Sequence, residues 1–307
     1  MKSIFSELNS RILVLDGAMG TMIQNYKLEE EDFRGDRFKN HEILLKGNND
    51  LLSITRPDII KDIHKGYLDS GADIIQTNTF SSTSIAMEDY ALQDLVYELN
   101  FESAKIAREV TDKFDNKKYV AGSIGPTNKT ASMSPDVNDP GFRAITFDEL
   151  VKSYKEQIKG LVDGGSDILL VETVFDTLNA KAALMATNDY FEENNTSLPV
   201  MLSGTITDNS GRTLSGQTVN AFLISLSHFP LLSIGFNCAL GADKLRPYLK
   251  RLSNSTNFFT SVYPNAGLPN AFGEYDQTPN GMLTQLKEYL DENLVNIIGG
   301  CCGTTYD

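Results

Sequence analysis

The residues best suited to chemistry in this chain are its three cysteines. Cys238 closes the run Ile234-Gly235-Phe236-Asn237, and the adjacent pair Cys301 and Cys302 closes Ile297-Ile298-Gly299-Gly300. Three thiolates suit zinc well and suit oxygen-preferring ions poorly. A zinc ion with three protein ligands keeps a fourth position open, as catalytic zinc sites do. The cysteine pattern therefore predicts a metal centre that can accept a substrate.

Two carboxylates and a glycine-rich turn also follow apolar runs. Asp16 and Glu172 each end such a run, where an unpaired carboxylate would cost free energy. Either loop amides satisfy these carboxylates, or they bind a cationic group of a substrate, such as an α-ammonium group. The turn Gly17-Ala18-Met19-Gly20-Thr21 fits neither the dinucleotide-binding pattern nor the Walker pattern. Its backbone amides are better suited to a substrate carboxylate.

The elements that carry these residues repeat along the chain as an apolar run, a polar or Gly-rich break, and an amphipathic helical stretch. The runs are apolar on both faces, as strands of a parallel sheet covered on both sides must be. The strand candidates are residues 12–16, 73–77, 119–124, 168–171, 200–204, 231–236, 258–262 and 295–298. The helix candidates are residues 57–70, 84–114, 146–163, 177–193, 218–227, 242–252 and 280–293.

This alternation predicts an α/β fold, a (β/α)8 TIM barrel, rather than an open doubly wound sheet. No linker or composition break divides residues 1–307, so we expect a single domain. Residues 25–50 predict an extended loop after the first strand, with Glu29-Glu30-Glu31-Asp32 as a solvated face. The sequence stops soon after Cys302, before any final helix could cover the last strand. We therefore expect the chain to be the N-terminal part of a longer polypeptide.

In a barrel of this kind the chemistry lies at the C-terminal ends of the strands, so the polar residues there should face one site. Those residues are Asp16-Gly17, Thr77-Asn78-Thr79, Gly125-Pro126-Thr127, Glu172-Thr173, Ser203-Gly204, Asn237-Cys238 and Cys301-Cys302. A lone cysteine is often a small, inert, buried hydrophobe. Three cysteines that converge on one rim favour a metal site instead.

The composition argues against several functions. A net charge of −14 disfavours nucleic acids, which need clustered Lys and Arg, and anionic membrane surfaces. No run reaches the roughly 18 apolar residues of a membrane span, and the N-terminus is too polar for a signal peptide. The low, odd cysteine count then indicates reduced thiols and a cytoplasmic protein. His41, His64 and His228 lack metal-ligand spacing, and we expect His64, beside Lys65, to be solvated.

Four motifs resemble the zinc-dependent homocysteine S-methyltransferase family. They are Asp16-Gly17-Ala18-Met19-Gly20-Thr21-Met22-Ile23-Gln24, Gln76-Thr77-Asn78-Thr79-Phe80, Gly235-Phe236-Asn237-Cys238 and Gly299-Gly300-Cys301-Cys302-Gly303-Thr304-Thr305. The resemblance spans the chain from the first strand to the last. Within the family, the opening motif, the insertion at residues 25–50 and Asp50-Leu51-Leu52-Ser53-Ile54-Thr55-Arg56-Pro57 look most like the N-terminal module of cobalamin-dependent methionine synthase.

The resemblance implies roles for individual residues. Cys238, Cys301 and Cys302 would bind Zn²⁺, with the sulfur of homocysteine as the fourth ligand. Glu172 and Asp16 would bind the homocysteine amino group. The amides of Gly17 and Ala18 would bind its carboxylate, and Asn78 and Asn237 would shape the rim. Betaine-using members carry a tyrosine just after the strand-two motif, whereas this chain has Ser81, so the resemblance implies no tyrosine ligand here.

Three functions stay open from the sequence. The first is activation of homocysteine as a zinc-bound thiolate, without a protein general base, for methyl transfer from methylcobalamin. Methylcobalamin and 5-methyltetrahydrofolate would then bind to other domains of the natural chain, because this sequence has no Asp-x-His-x-x-Gly cobalamin motif. The second is a self-contained methyltransferase that uses a small sulfonium donor such as S-methylmethionine. The third is a non-catalytic zinc-binding barrel.

Overall fold

A computed structural model describes residues 3–307 of the chain. Within these residues eight parallel strands pair in one sheet. The strands are β1 (Leu13–Val14), β2 (Ile74–Gln76), β3 (Tyr119–Ile124), β4 (Ile168–Val174), β5 (Val200–Gly204), β6 (Ser233–Gly241), β7 (Phe259–Asn265) and β8 (Ile297–Ile298). Neighbouring strands follow the order β1-β8-β7-β6-β5-β4-β3-β2.

The sheet closes between its first and last members. Leu15 forms a parallel bridge with Ile74, and the Asp16 amide donates to the Ile74 carbonyl at 3.0 Å. The Asp73 amide donates in turn to the Val14 carbonyl at 2.7 Å. The predicted (β/α)8 barrel in a single domain is therefore confirmed.

Helices surround this barrel. They are α1 (Ile4–Leu8), α2 (Met19–Asn25), α3 (Glu30–Arg34), α4 (Leu52–Thr55), α5 (Pro57–Asp69), α6 (Ser84–Met87), α7 (Val96–Thr111), α8 (Phe147–Asp163), α9 (Thr177–Asn194), α10 (Val219–Leu226), α11 (Ala242–Ser253) and α12 (Pro279–Asp291). Short 3-10 turns lie at Asn49–Leu51, Glu88–Tyr90 and Gln93–Leu95. Among the described residues no helix is long and apolar enough to cross a membrane.

The barrel interior is filled by alternate strand residues and is closed at the bottom by α1. Ile4 and Leu8 of this helix belong to the same buried cluster as Leu13, Leu170 and Met201. Each fully buried aliphatic side chain of this kind contributes about 1.5–3 kcal/mol. The lower half of the barrel is therefore filled with apolar side chains.

The predicted strands agree with the structure to the residue for β3 and β5. Strands β4, β6 and β7 continue beyond the predicted residues 168–171, 231–236 and 258–262. Each extension begins with a residue that the apolar pattern does not include: Glu172 in β4, Asn237 in β6 and Tyr263 in β7. Glu172, Asn237 and Cys238 lie in these extensions, whereas the other candidate residues follow the ends of β1, β2 and β8.

Three expectations about the outer layer were wrong. Residues 84–114 are not one helix: Ala91 adopts a φ of 51°, which separates α6 from α7 without any Gly or Pro to mark the break. Residues 25–50 contain α3, and Glu30 is not simply solvated, because it accepts the amides of Leu45 at 2.9 Å and Lys46 at 2.7 Å. His64 is fully buried, because it shares the inner face of α5 with Ile60 and Ile63.

Candidate functional site

A cavity of about 670 Å³ opens at the C-terminal rim of the barrel. Its wall contains eight of the nine residues that the sequence predicted for the site. These are Asp16, Gly17, Ala18, Asn78, Glu172, Cys238, Cys301 and Cys302. Asn237 is fully buried and lies outside the cavity lining. The volume lies within the range of pockets that bind small-molecule ligands, roughly 300–1,000 Å³.

The three cysteine sulfurs meet on one side of this cavity. All three Sγ atoms lie within 4.8 Å of one another, and those of Cys238 and Cys302 are 3.8 Å apart. Tetrahedral zinc with Zn–S bonds of about 2.3 Å separates its sulfur ligands by about 3.8 Å. The cysteines are free and half-buried. The donor set therefore fits a single zinc-sized ion and leaves one side open to the cavity.

Hydrogen bonds from neighbouring strands fix the Cys301-Cys302 pair. The Cys301 amide donates to the Pro264 carbonyl at 2.8 Å, and the Ala266 amide donates to the Cys302 carbonyl at 2.9 Å. On the other side, the Gly300 amide donates to the Asp16 carbonyl at 3.2 Å. The pair is thus held between the end of β7 and the end of β1.

Cys238 reaches the pair from a bulge in β6. Asn237 pairs with Tyr263 and Gly241 with Asn265, so four steps along β6 match two along β7. Within the bulge Cys238 and Ala239 have φ values of 60° and 57°. This left-handed conformation costs a residue with a side chain about 1–2 kcal/mol. The bulge re-aims one side chain near a ligand site, which is where such strain commonly occurs.

A second bulge lies in β4 at Glu172 and Thr173. Val171 pairs with Leu202 and Val174 with Gly204, which leaves one extra residue on β4. Thr173 has a φ of 55°, again left-handed. Glu172 therefore enters the cavity from an irregular segment, as Cys238 does.

The two candidate substrate carboxylates are both nine-tenths or more buried. Asp16 accepts the Gln76 amide at 2.8 Å and its Nε2 at 3.0 Å. Glu172 accepts the Ser123 hydroxyl and, at 3.4 Å, that of Tyr263. Strand residues rather than loop amides therefore donate to each carboxylate and satisfy part of it.

Burial nevertheless leaves both carboxylates poorly stabilised as anions. Desolvation raises the pKa of Asp16 to about 8 and that of Glu172 to about 7. The charge of Glu172 raises the pKa of Asp16 further. None of the salt bridges found within residues 3–307 involves either group. A cationic ligand group would supply the missing counter-charge.

The Gly17-Ala18 turn lies beside the cysteine pair. The Ala18 amide donates to the Thr304 carbonyl at 3.3 Å, so a substrate carboxylate would have to share or displace that bond. The Tyr67 hydroxyl lies 3.2 Å from the Ala18 carbonyl and 3.0 Å from that of Thr304. A Cβ on Gly17 would lie 2.7 Å from the Tyr67 ring, so this close approach requires glycine.

The two asparagines have different surroundings. Asn78 lies in the cavity wall, but its Nδ2 donates to the Asn49 carbonyl at 2.7 Å and thereby joins β2 to the insertion. Asn237 is surrounded by Thr173 and Ser203, to which its amide group is hydrogen-bonded. The side-chain amides of both asparagines are therefore hydrogen-bonded to other residues of the protein.

Sequence reasoning missed several cavity residues. Strand seven contributed no candidate, yet Tyr263 lines the cavity and Asn265 has a buried Oδ1 without a hydrogen-bond partner. Their signal was the Tyr263-Pro264-Asn265 sequence directly after an apolar run. Asp50 also lines the cavity and accepts the Ser81 amide at 2.7 Å. Asp50 belongs to the insertion at residues 25–50, and the apolar pattern does not predict where this insertion lies relative to the barrel.

Comparison with known proteins gives a consistent result. The family model described as homocysteine S-methyltransferase matches residues 13–307. The oxidized form of the homocysteine methyltransferase MmuM from Escherichia coli matches with a TM-score of 0.74 and 22% identity, over 97% of this chain and 94% of that chain. Its metallated form matches with a TM-score of 0.73 and 21% identity, over 98% and 95%. At these identities the structural similarity shows a shared fold.

Proposed function

Because this chain belongs to the homocysteine S-methyltransferase family, we propose that it activates homocysteine on zinc as a thiolate and directs a methyl group to that sulfur, which gives methionine. The observation that carries the proposal is the meeting of three cysteine sulfurs on a cavity wall that also holds two buried carboxylates. A thiol and an ammonium group belong to the same amino acid, so one ligand can engage both features.

Cys238, Cys301 and Cys302 would hold the zinc ion. When bound there, zinc would act as a Lewis acid and favour the thiolate form of homocysteine. The free thiol is mostly protonated near neutral pH. The 3.8 Å spacing between Cys238 and Cys302 supports this assignment. Three protein thiolates also carry excess negative charge, which leaves a fourth sulfur electron-rich and reactive.

Glu172 and Asp16 would bind the ammonium group of homocysteine. Their raised pKa values indicate carboxylates that lack a counter-charge, and an ammonium group would favour the ionised form of both. The adjacent Gly17 and Ala18 amides would then bind the substrate carboxylate. Asn78 and Asn237 would act through the frame rather than by direct contact, since both amide groups bond to the protein.

The transfer itself needs no protein general base. On binding, the homocysteine thiol would lose its proton to solvent. A lone pair of that sulfur then forms the S–CH3 bond, while the bond between the methyl carbon and its donor breaks. The electron pair of the broken bond remains with the donor. The role of the protein is to hold the sulfur and exclude competing protonation.

We propose methylcobalamin as the methyl donor, bound to another domain of a longer chain and recharged from 5-methyltetrahydrofolate. The rim loops support this assignment, because large apolar side chains there are exposed. Val137 is 94% and Phe272 is 89% exposed. Apolar groups displayed around a cavity mouth suit a macromolecular donor that docks over it.

A small sulfonium donor such as S-methylmethionine is the second candidate. The cavity wall away from the cysteines includes Phe80, Tyr90 and Asp50, a set that suits an organic cation.

Product analysis with the purified zinc-loaded protein separates these functions. We expect methionine to form from homocysteine and free methylcobalamin, and a chelator to abolish its formation. Methionine from S-methylmethionine, with none from methylcobalamin, would support the second candidate. Zinc and homocysteine binding without methionine from either donor would indicate the non-catalytic barrel.

A further inference from the structure

Asn237 occupies an unusual place behind the cavity wall. It is fully buried, and every polar atom of its side chain is used. Its Nδ2 donates to Thr173 Oγ1 at 2.8 Å, and its Oδ1 accepts the Thr173 amide at 3.1 Å. The Ser203 hydroxyl donates to the same Oδ1 at 2.6 Å. One amide group therefore joins strands β4, β5 and β6.

These bonds connect the two bulges of the barrel. Thr173 directly follows Glu172, and Asn237 directly precedes Cys238. Both bulges contain residues with side chains in the left-handed region: Thr173 in one, Cys238 and Ala239 in the other. Because irregular strands have lost part of their ladder bonding, the cross-strand amide supplies a direct link between the two bulges, beside the bonds of Thr205 to the carbonyls of Val174 and Asn237.

We propose that Asn237 is a positioning residue that sets the distance between the Glu172 carboxylate and the Cys238 sulfur, and so selects homocysteine over cysteine by chain length. This inference rests on the proposed function, in which the metal holds one end of the ligand and Glu172 the other. A ligand bound at both ends must span a fixed gap. Cysteine lacks one methylene of homocysteine and would lose one of the two contacts.

Selection by ligand length works only if the Glu172 carboxylate and the Cys238 sulfur cannot move closer to each other. A displacement of about 1 Å costs an enzyme roughly 100-fold in rate, and one methylene in a pocket discriminates by roughly 10–200-fold. If the amide bonds between the bulges are weakened, Glu172 and Cys238 can approach each other around a shorter ligand. Affinity for homocysteine then falls more than affinity for cysteine.

Two variants weaken these bonds without replacing Asn237 or a metal ligand. Thr173→Val keeps the side-chain shape and removes the acceptor of Asn237 Nδ2, while Thr173→Ser restores a hydroxyl. Ser203→Ala removes the donor to Oδ1 from a residue that does not line the cavity. Ser233→Ala is the matched control, because the Ser233 hydroxyl is equally buried in β6 but has no hydrogen-bond partner.

The readout is the ratio of dissociation constants for cysteine and homocysteine, measured by sulfur-to-metal charge-transfer absorption of the cobalt-substituted protein. We expect this ratio to fall at least about 10-fold in Thr173→Val and Ser203→Ala. It should stay at the wild-type value in Thr173→Ser and Ser233→Ala, with one cobalt per chain throughout. Equal weakening of both thiols, or an unchanged ratio in both test variants, would overturn the inference alone. A wild-type protein that binds neither thiol at cobalt would contradict the proposed function itself.

Discussion

Strands β3 and β5 differ from strands β4 and β6 in how they end. β3 and β5 are regular and lie fully within the apolar pattern. β4 and β6 run on into bulges that hold Glu172 and Cys238. In this comparison the regular strands provide the frame, and the bulged strands provide one of the two carboxylates and one of the three cysteines.

The physical reason lies in side-chain direction. A regular strand alternates its side chains strictly, so consecutive residues face opposite sides of the sheet. A bulge breaks this alternation and can aim an additional side chain at the cavity. The cost is left-handed backbone at Thr173, Cys238 and Ala239, which the bonds of Asn237 help to offset.

Loss of the bulged cysteine should have the largest effect. We expect Cys238→Ala to weaken zinc binding by more than about 100-fold, since loss of a group that merely supports a ligand already costs 10–100-fold. Zinc content by atomic absorption should fall from about one per chain to near zero, with circular dichroism unchanged. Full zinc content and activity in Cys238→Ala would contradict the assigned ligand set.

Loss of the Glu172 carboxylate in the β4 bulge should have the second-largest effect. We expect Glu172→Gln to weaken homocysteine binding by at least about 100-fold, because loss of one partner of a buried ion pair costs about 3–5 kcal/mol. Titration calorimetry of the zinc-loaded protein measures this change. Asp50→Asn is the control, since Asp50 is equally buried in the same cavity but bonds to Ser81 and Ser82. Equal losses in both variants would refute a specific role for the β4 bulge.

His64 tests the outer layer separately from the rim. Burial lowers its pKa from 6.5 to about 4, so the unfolded chain binds a proton that the folded chain rejects between these values. The contribution of His64 to the free energy of unfolding should therefore decrease as pH falls from 6.5 to 4, by up to about 3 kcal/mol, opposite in sign to the contributions of the Asp16 and Glu172 carboxyls with their raised pKa values. Urea unfolding should show that the difference in free energy of unfolding between the wild type and His64→Leu changes with pH by this amount, whereas His228→Gln, at an exposed position, should follow the wild type. The same pH dependence in the wild type and His64→Leu would assign it to other groups.

The smallest expected effect is the change in free energy of unfolding when Ala is replaced by Gly in a bulge, compared with the same replacement in a regular strand. Ala239→Gly relieves a left-handed conformation worth about 1–2 kcal/mol, which offsets the 0.5–1 kcal/mol that glycine costs in chain entropy. We expect less than about 1 kcal/mol of change in the free energy of unfolding. Ala121→Gly in β3 has no strain to relieve and should destabilise by about 1–2 kcal/mol. Equal destabilisation by both would show that the bulge is unstrained.

The same contrast explains what could be predicted from the sequence. The sequence predicts strands at residues 119–124 and 200–204, and both have the same first and last residues in the structure. Continuous apolar runs determine regular buried strands of this kind. The site residues were found because they follow such runs. The backbone conformation of these residues could not be predicted, because no sequence pattern marks the left-handed φ of Thr173 or Cys238.

Other misses had different causes. Ala91 breaks a helical pattern through a φ of 51° that its residue type does not reveal. His64 could have been placed correctly, because it lies four positions after Ile60 on a helix with one buried face. Asp50 and the ordered contacts of Glu30 depend on tertiary packing of the insertion, which no local pattern encodes.

X-ray absorption at the zinc edge, with and without homocysteine, counts the sulfur ligands of the metal. We expect three sulfur ligands at about 2.3 Å and one lighter ligand in the free protein, changing to four sulfurs when homocysteine is added. The change should be absent in Glu172→Gln at a homocysteine concentration that saturates the wild type. A sulfur count that homocysteine leaves unchanged in the wild type would contradict the claim that the bulged rim activates this substrate.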